Sequence, residues 1–313
     1  MSAPRRGSSS PDAAPAPGRG SPEPPLDDAH RRAIRILRAT DGSWPTALGD
    51  LSDQPAELWM LGDPAALGPP VVAIVGTRDA TPYGERIARE LAAALARAGA
   101  CIISGLARGV DACAHRAALD SGGRTAAVLG TGVDVPYPVG HRALHARIAG
   151  HGLLLSERPP GSRAIRGCFP RRNRLIAALA RLTIVVEAGH TSGALNTARH
   201  ALELGRDVAA VPGPIDSPTS AGANLLLRDG AHLIASPDDA LTLAGLDRAP
   251  AAAPAALEGD EHTVWRALGR GALHLDELVA ATGLPTAACL TSVTALELKR
   301  LLVLELTGEV RRR

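Results

Sequence analysis

The sequence predicts an α/β protein: a doubly wound, mostly parallel sheet followed by a small C-terminal winged-helix domain. Three observations carry this. Short apolar runs recur from Val71 onward, each closing near Gly, Ser or Glu, with amphipathic helix-like segments between them. Continuous apolar strands alternating with helices point to a parallel sheet covered on both faces. Beyond an Ala/Pro-rich linker, a helix, helix, turn, helix, strand order suggests a winged helix-turn-helix.

In chain order, residues 1–28 are mostly Pro, Ser, Gly and Ala with almost nothing to bury, and are expected to be disordered. Residues 29–70 read as a short N-terminal extension, with a helix-like run in "DDAHRRAIRIL" and a loop-rich stretch through "DQPAELWMLGD". Residues 71–245 hold the main, Rossmann-like domain. Its strands are expected in "VVAIVG", "ACIISG", "TAAVLG", "GLLLSE", "LTIVVE" and "DVAAVPG", with helices in segments such as "GERIARELAAALARAG" and "SGALNTARHALELG". Residues 246–258 are a linker by composition. Residues 259–313 supply the winged helix, its last two helices joined by a Gly-Leu-Pro turn at Gly283–Pro285. No internal repeat is apparent.

Composition narrows the function classes. Hydrophobic residues make up 45% of the 313 residues but aromatic ones only 2%, so the core must be aliphatic. A net charge of +2 argues against a polycation that coats nucleic acid, so an anion site has to be a local concentration of charge. Lys299 is the only lysine, which makes any single arginine weaker testimony for phosphate recognition. The cysteines Cys101, Cys113, Cys168 and Cys289 show no CxxC spacing. Reduced cytoplasmic thiols are expected rather than a zinc site or disulfides. No run approaches a membrane span, and Arg5 and Arg6 are followed by no apolar segment, so neither a membrane partner nor a signal peptide is expected.

In an open parallel sheet, ligands bind beyond the carboxyl ends of the strands. There the sequence places "GTRDATPYG", "SGLARGVDACAH", "GTGVDVPYP" and "EAGHTSGALNTA". Glycines at such turns let N–H groups approach an anion, and the helix N-termini that follow add partial positive charge. Any one loop is explained by tight turns alone; all four, with Arg78 and Arg108 among them, predict a phosphate-binding rim. Thr77, Ser192 and Gly193 are its expected supports. There is no Walker motif, no dinucleotide fingerprint and no Ser-His-Asp set among His115, His141, His145, His151 and His190. Glu157 and Glu187 follow strands, and the expected role of each is to cap a loop. Neither metal nor cofactor is expected.

The loop after the fourth of these runs carries Arg158, Arg163, Arg166, Arg171, Arg172 and Arg174 with no acid among them, and Phe169, the only phenylalanine. Dense positive charge with a presented ring is the pattern of single-strand binding, in which charge tracks the backbone and a ring stacks a base. Phe169 could instead staple the helix "RNRLIAALA" to the core. Spacing alone leaves both open.

Together "VGTRDATPYG", "SGLARGVDACAH", "LGTGVDVPYP", "SERPPG", "FPRRNRLIAALA", "VVEAGHTSGALNTA", "GRDVAAVPG" and "GANLLLRDGA" resemble, in order and spacing, the DNA-processing protein A (DprA/Smf) family. The resemblance covers about Val71 to Leu241. It implies a cytoplasmic protein without catalytic turnover that binds and protects single-stranded DNA and helps load RecA in natural transformation and recombination. It implies a homodimer formed through the Rossmann-like domain. Carried over by position, the implied DNA contacts are Arg78, Ser104, Gly105, Arg108, Gly132, Phe169, Arg171, Asn173 and Arg174, with Arg166 beside them. The alternative is an enzyme resembling the lysine-decarboxylase-like nucleoside-monophosphate phosphoribohydrolases. Their "PGGxGTxxE" glutamate is replaced here by Asn196, and an amide cannot act as a general base. A third reading, a duplex-binding regulator, would rest on "PTAACLTSVTALELKR", which has little to offer base edges.

Overall fold

Each expected apolar run forms a strand because it can be buried on both faces. In the computed structural model, which describes residues 33–246, 257–268, 273–299, 301–304 and 308–312, these are β3 (Val71–Val75), β4 (Cys101–Ser104), β5 (Arg124–Val128), β6 (Leu153–Ser156), β7 (Leu182–Val185) and β8 (Asp207–Ala210). Residues along a strand alternate between two helical layers. Val71, Ala73 and Val75 face α4 (Cys168–Leu179), α5 (Gly193–Glu203) and α6 (Ala221–Arg228). Val72 and Ile74 face α1 (Pro82–Arg97), α2 (Val110–Asp120) and α7 (Pro237–Leu243). Neither side meets water, so no polar alternation appears in the sequence. A fourth helix on the α2 side, α3 (Arg142–His151), packs Leu144 and Ile148 on Leu154.

With β1 (Arg35–Arg38), β2 (Glu57–Gly62) and β9 (His232–Leu233), the sheet order is β1-β2-β6-β5-β4-β3-β7-β8-β9. The pairings from β6 across to β9 are all parallel. The chain builds outward from β3 to β6, then returns to the far side of β3 for β7. That reversal opens a crevice between the loops that leave β3 and β7, the place where doubly wound sheets bind ligands.

One expectation is corrected. The end of the helix-like run, Arg35–Leu37, belongs with Arg38 to a strand, and "ELWMLG" in the supposed loop is its partner, with Ile36 opposite Trp59. β2 in turn pairs antiparallel with β6, Met60 opposite Leu155. Leu37, Leu58 and Met60 are buried while Arg35, Arg38 and Glu57 are exposed. This is the two-residue alternation of a half-buried strand, but β1 is too short for its period to stand out. Its partner lies some twenty residues away, and arginines mark the free edge, as suits an edge strand. The expected disordered tail and most of the linker lie outside the described residues.

The C-terminal segment contains α8 (Gly259–Ala267), β10 (Leu273–His274), α9 (Leu275–Thr282), α10 (Thr286–Leu298), β11 (Leu302–Leu304) and β12 (Glu309–Arg312). Its strands pair antiparallel in the order β10-β12-β11, and Trp265, Leu278, Val293, Leu302 and Val310 share one core. The chain turns through 111° between α9 and α10, as a helix-turn-helix requires. On α10 the hydroxyls of Thr291 and Thr294 bond back to their own helix, and Lys299 pairs with Glu261 at 2.5 Å. All four cysteines are free and buried. Among the described residues no single helix is long and apolar enough to cross a membrane.

Behind the sheet, His115 on α2 is fully buried. The Thr125 hydroxyl donates to Ile102 O, so at 2.7 Å it accepts from Nδ1 of a neutral His115. Burial first, then the Arg172 charge, pushes the His115 pKa from 6.5 down to about 3. Because the unfolded chain takes up this proton more readily, the resulting stability is complete above pH 6.5 and is lost as pH falls towards 3. Melting temperature should therefore drop across that window, and His115→Gln should flatten the drop. Superimposable pH profiles would contradict the assignment.

Candidate nucleic-acid interface

The crevice between the β3 and β7 loops is a cleft of about 480 Å³. Thr77 and Arg78 line it from one side, Ser192 and Gly193 from the other, and Phe169, Arg172 and Asn173 from α4. Glu187 fastens the two loops together. Its backbone oxygen accepts from Thr77 N at 2.7 Å, and its buried carboxylate accepts from Thr81 N and Oγ1 at 3.0 and 2.6 Å. This strand-end carboxylate caps a loop. Ser192 caps α5, accepting from Ala194 N.

A second cleft of about 560 Å³ lies on the other side of α4, lined by Gly130, Glu157, Arg158, Arg171 and Arg172 with the Asp53–Glu57 segment. Phe169 stands over the first cleft and Arg172 borders both. α4 begins at Cys168 behind Gly167, whose φ of 86° is the left-handed conformation. Phe169 is therefore the second helical residue. A hydrophobic staple needs its apolar residue before the cap, so Phe169 is not one. Its ring is half-buried against Gly130, where a Cβ would come within 2.9 Å of Cδ1. Tyr137 stacks on that ring at 5.0 Å and 29°, and the Arg78 guanidinium lies 5.6 Å from its centroid. The guanidinium and the ring attract each other through the ring quadrupole.

Arg172 is buried. Its guanidinium donates to Gly105 O at 2.7 Å, to Val128 O and to Asn173 Oδ1, joining the ends of β4 and β5 to α4. A Cβ on Gly105 would strike that guanidinium at 2.2 Å. Its counter-charge is buried Asp111, which accepts from Gly105 N at 3.1 Å and Ala107 N at 3.3 Å. Between them Leu106 holds a φ of 58°, which turns both N–H groups onto the carboxylate. Burial lowers the Arg172 pKa to about 10 against the opposing pull of Asp111; burial raises the Asp111 pKa against the pull of Arg172.

In the β4 loop the donors expected to meet a ligand are bonded within the chain. The N–H of Gly105 is occupied by the chain's own carboxylate, and the Ser104 hydroxyl donates to Ile74 O at 2.7 Å. Both donors face inward, one bonded to the Asp111 carboxylate and the other to the backbone of β3. Arg174 is also turned inward: its side chain is 7% exposed, 2.5 Å from Glu157 and 2.8 Å from Asp53. Ser104, Gly105, Gly132, Arg108, Arg166 and Arg174 line neither cleft. Gly132 N–H donates to Ser162 O, joining its loop to the arginine loop. Asn173 donates to Gly193 O and meets the Asn196 amide at 3.2 Å. Arg108 is exposed and 3.3 Å from Asp79, Arg166 is exposed, and Arg171, 72% exposed, lies 4.0 Å from Glu157. Sequence reasoning missed Tyr137 and Asp111 and left Arg172 outside the contact set. The aromatic in "VPYP", on a strand-end loop, was the available signal for Tyr137. Nothing in the spacing pairs Asp111 with Arg172, sixty-one residues later.

Comparison with known proteins agrees with this architecture. The family model for DNA recombination-mediator protein A matches residues 35–245, and that for the DprA winged helix domain matches 248–303. The chain is 48% identical over 289 residues to the putative DNA processing protein DprA of Mycobacterium tuberculosis, covering 85% of this chain and 74% of that protein. The X-ray structure of DNA processing protein A from Streptococcus pneumoniae matches with a TM-score of 0.65 and 40% identity, over 69% of this chain and 78% of that one. A structure of DNA processing protein A from Helicobacter pylori, solved for its single-stranded DNA binding mode, matches with a TM-score of 0.62 and 34% identity, over 67% and 95%. With the sheet order described above, these matches establish that the chain belongs to the DNA recombination-mediator protein A (DprA/Smf) family.

Proposed function

We propose that this protein binds single-stranded DNA along the clefts on either side of α4, protects the strand, and hands it to RecA during recombination, including natural transformation. The observation that carries the reading is the cluster of Arg78 and Tyr137 on Phe169, whose ring lines the switch-point crevice, with exposed Arg171 on the second cleft. Charge for a phosphate and a ring for a base are the two components of single-strand recognition. The Helicobacter pylori relative, described by its single-stranded DNA binding mode, supports the same ligand here. The protein works as a cytoplasmic homodimer without catalytic turnover. The short edge strand β9, with Leu233 55% exposed, suits such an association through the main domain. Arg78 and Arg171 contact phosphates within the clefts, exposed Arg108 and Arg166 contact phosphates where the strand runs beyond them, and Phe169 presents a ring. Thr77, Asn173, Ser192 and Gly193 shape the clefts, while Ser104, Gly105, Gly132 and Arg174 act by holding the loops.

No observation favours the hydrolase. Asn196 stands where its glutamate belongs, Glu157 is bound to Arg174, and Glu187 to Thr81. The test is fluorescence anisotropy with labelled single and double strands across a salt series. Single strands should bind more tightly, with log affinity falling against log salt by about 0.7 per phosphate neutralised. Equal affinity for duplex and single strand would refute the proposal. RecA filament formation on strands coated with the protein tests the loading step, and faster nucleation is expected.

A further inference from the structure

Tyr137 is a large ring left 44% exposed, stacked on Phe169, which lines the crevice. It contrasts with Tyr83, whose hydroxyl donates to Pro212 O, because no hydrogen bond holds the Tyr137 hydroxyl among the described residues. The loop that carries it is nonetheless tightly fixed. The Thr131 hydroxyl donates to Val135 O at 2.8 Å, and Asp134 accepts from Gly161 N at 2.7 Å. Just beyond the ring, His141 N donates to Pro138 O at 2.9 Å, and its Nδ1 donates to Leu106 O at 3.0 Å. The ring rests on Phe169, which already carries the Arg78 guanidinium. A base that reaches Phe169 therefore finds Tyr137 and Arg78 on the same ring.

We propose that Tyr137 is a base-stacking residue: its exposed ring, backed by Phe169, receives a nucleobase of the bound strand while Arg78 takes an adjacent phosphate. The inference rests on the reading of single-strand binding given above. Phe169 is then mainly the support for the platform, and Gly130 makes room for that support. A tyrosine ring on a fixed loop suits this work, since few rotatable bonds remain to be ordered when the base arrives. Every base has a π-face, so the platform tolerates any sequence.

The experiment uses the full chain, a labelled oligothymidylate and an abasic strand of equal length. Wild type should prefer the strand with bases. Tyr137→Leu keeps apolar bulk over Phe169 but removes the stacking face. It should cut that preference by about 5- to 150-fold, the range of one stacked base, with abasic-strand affinity unchanged. Tyr137→Phe should keep the preference, since the ring and not the hydroxyl does the stacking. An unchanged preference in Tyr137→Leu, or an equal loss on both strands, overturns the inference while leaving single-strand binding intact. If Tyr137→Leu does not fold, Tyr137→Trp decides. Quenching of its added fluorescence by oligothymidylate, but not by the abasic strand, supports stacking, and equal or absent quenching overturns it. A wild type that binds neither strand defeats the parent reading instead.

Discussion

Asp111→Ala is expected to lower folding stability by about 2–5 kcal/mol, the cost of leaving two backbone N–H groups without their acceptor and the buried Arg172 without the nearby opposite charge. The carboxylate does two things at once. It neutralises Arg172, and it accepts from Gly105 N and Ala107 N across Leu106, whose positive φ no longer has a compensating bond once the acceptor is gone. A domain is typically stable by only about 5–15 kcal/mol, so the variant should sit near its unfolding limit. Urea denaturation is the measurement. Asp111→Asn, which keeps one acceptor and loses the charge, should fall between wild type and Ala. Midpoints indistinguishable from wild type for both variants would show that the pair contributes nothing.

For binding, Arg78→Ala is expected to have the largest effect: a tenfold to hundredfold loss of single-strand affinity, as for a lost hydrogen bond to a charged group. The slope of log affinity against log salt should shrink by about 0.7, one phosphate contact. Arg78 is exposed and makes no ion pair among the described residues, so removal should leave the melting temperature nearly unchanged. Phosphate contacts carry no sequence information directly, so the loss should be uniform across strand sequences. A sequence-dependent loss, or an unaltered salt slope, would remove Arg78 from the phosphate path.

The two residues show where sequence reasoning reaches and where it stops. Strands β3 to β8 were legible because burial on both faces leaves uninterrupted apolar runs closed by turn residues. Helix α1 was legible from its apolar period; in the structure Thr81 accepts from Gly84 N at its start and Pro82 opens the first turn. Strands β1 and β2 were not legible, since four and six residues of half-buried alternation have meaning only once β6 lies beside them. At the site, Arg78 and Phe169 fall at the crevice where the strand-end rule puts them. Arg172 and Arg174 carry the same charge in the same run, yet both face inward. Arg174 is paired with Glu157 and Asp53, and Arg172 donates to Gly105 O, Val128 O and Asn173 Oδ1 with the charge of buried Asp111 acting on it from nearby.

The sequence by itself determined the parallel sheet, the winged helix and the place where the loops gather, because periodicity and turn chemistry are local properties of the chain. The tertiary structure alone decided which arginines are free to meet a ligand and what lies against Phe169. Burial and ion pairing depend on residues brought together from far along the chain: Glu157 and Asp53 on Arg174, and Tyr137 and Arg78 on the single phenylalanine ring.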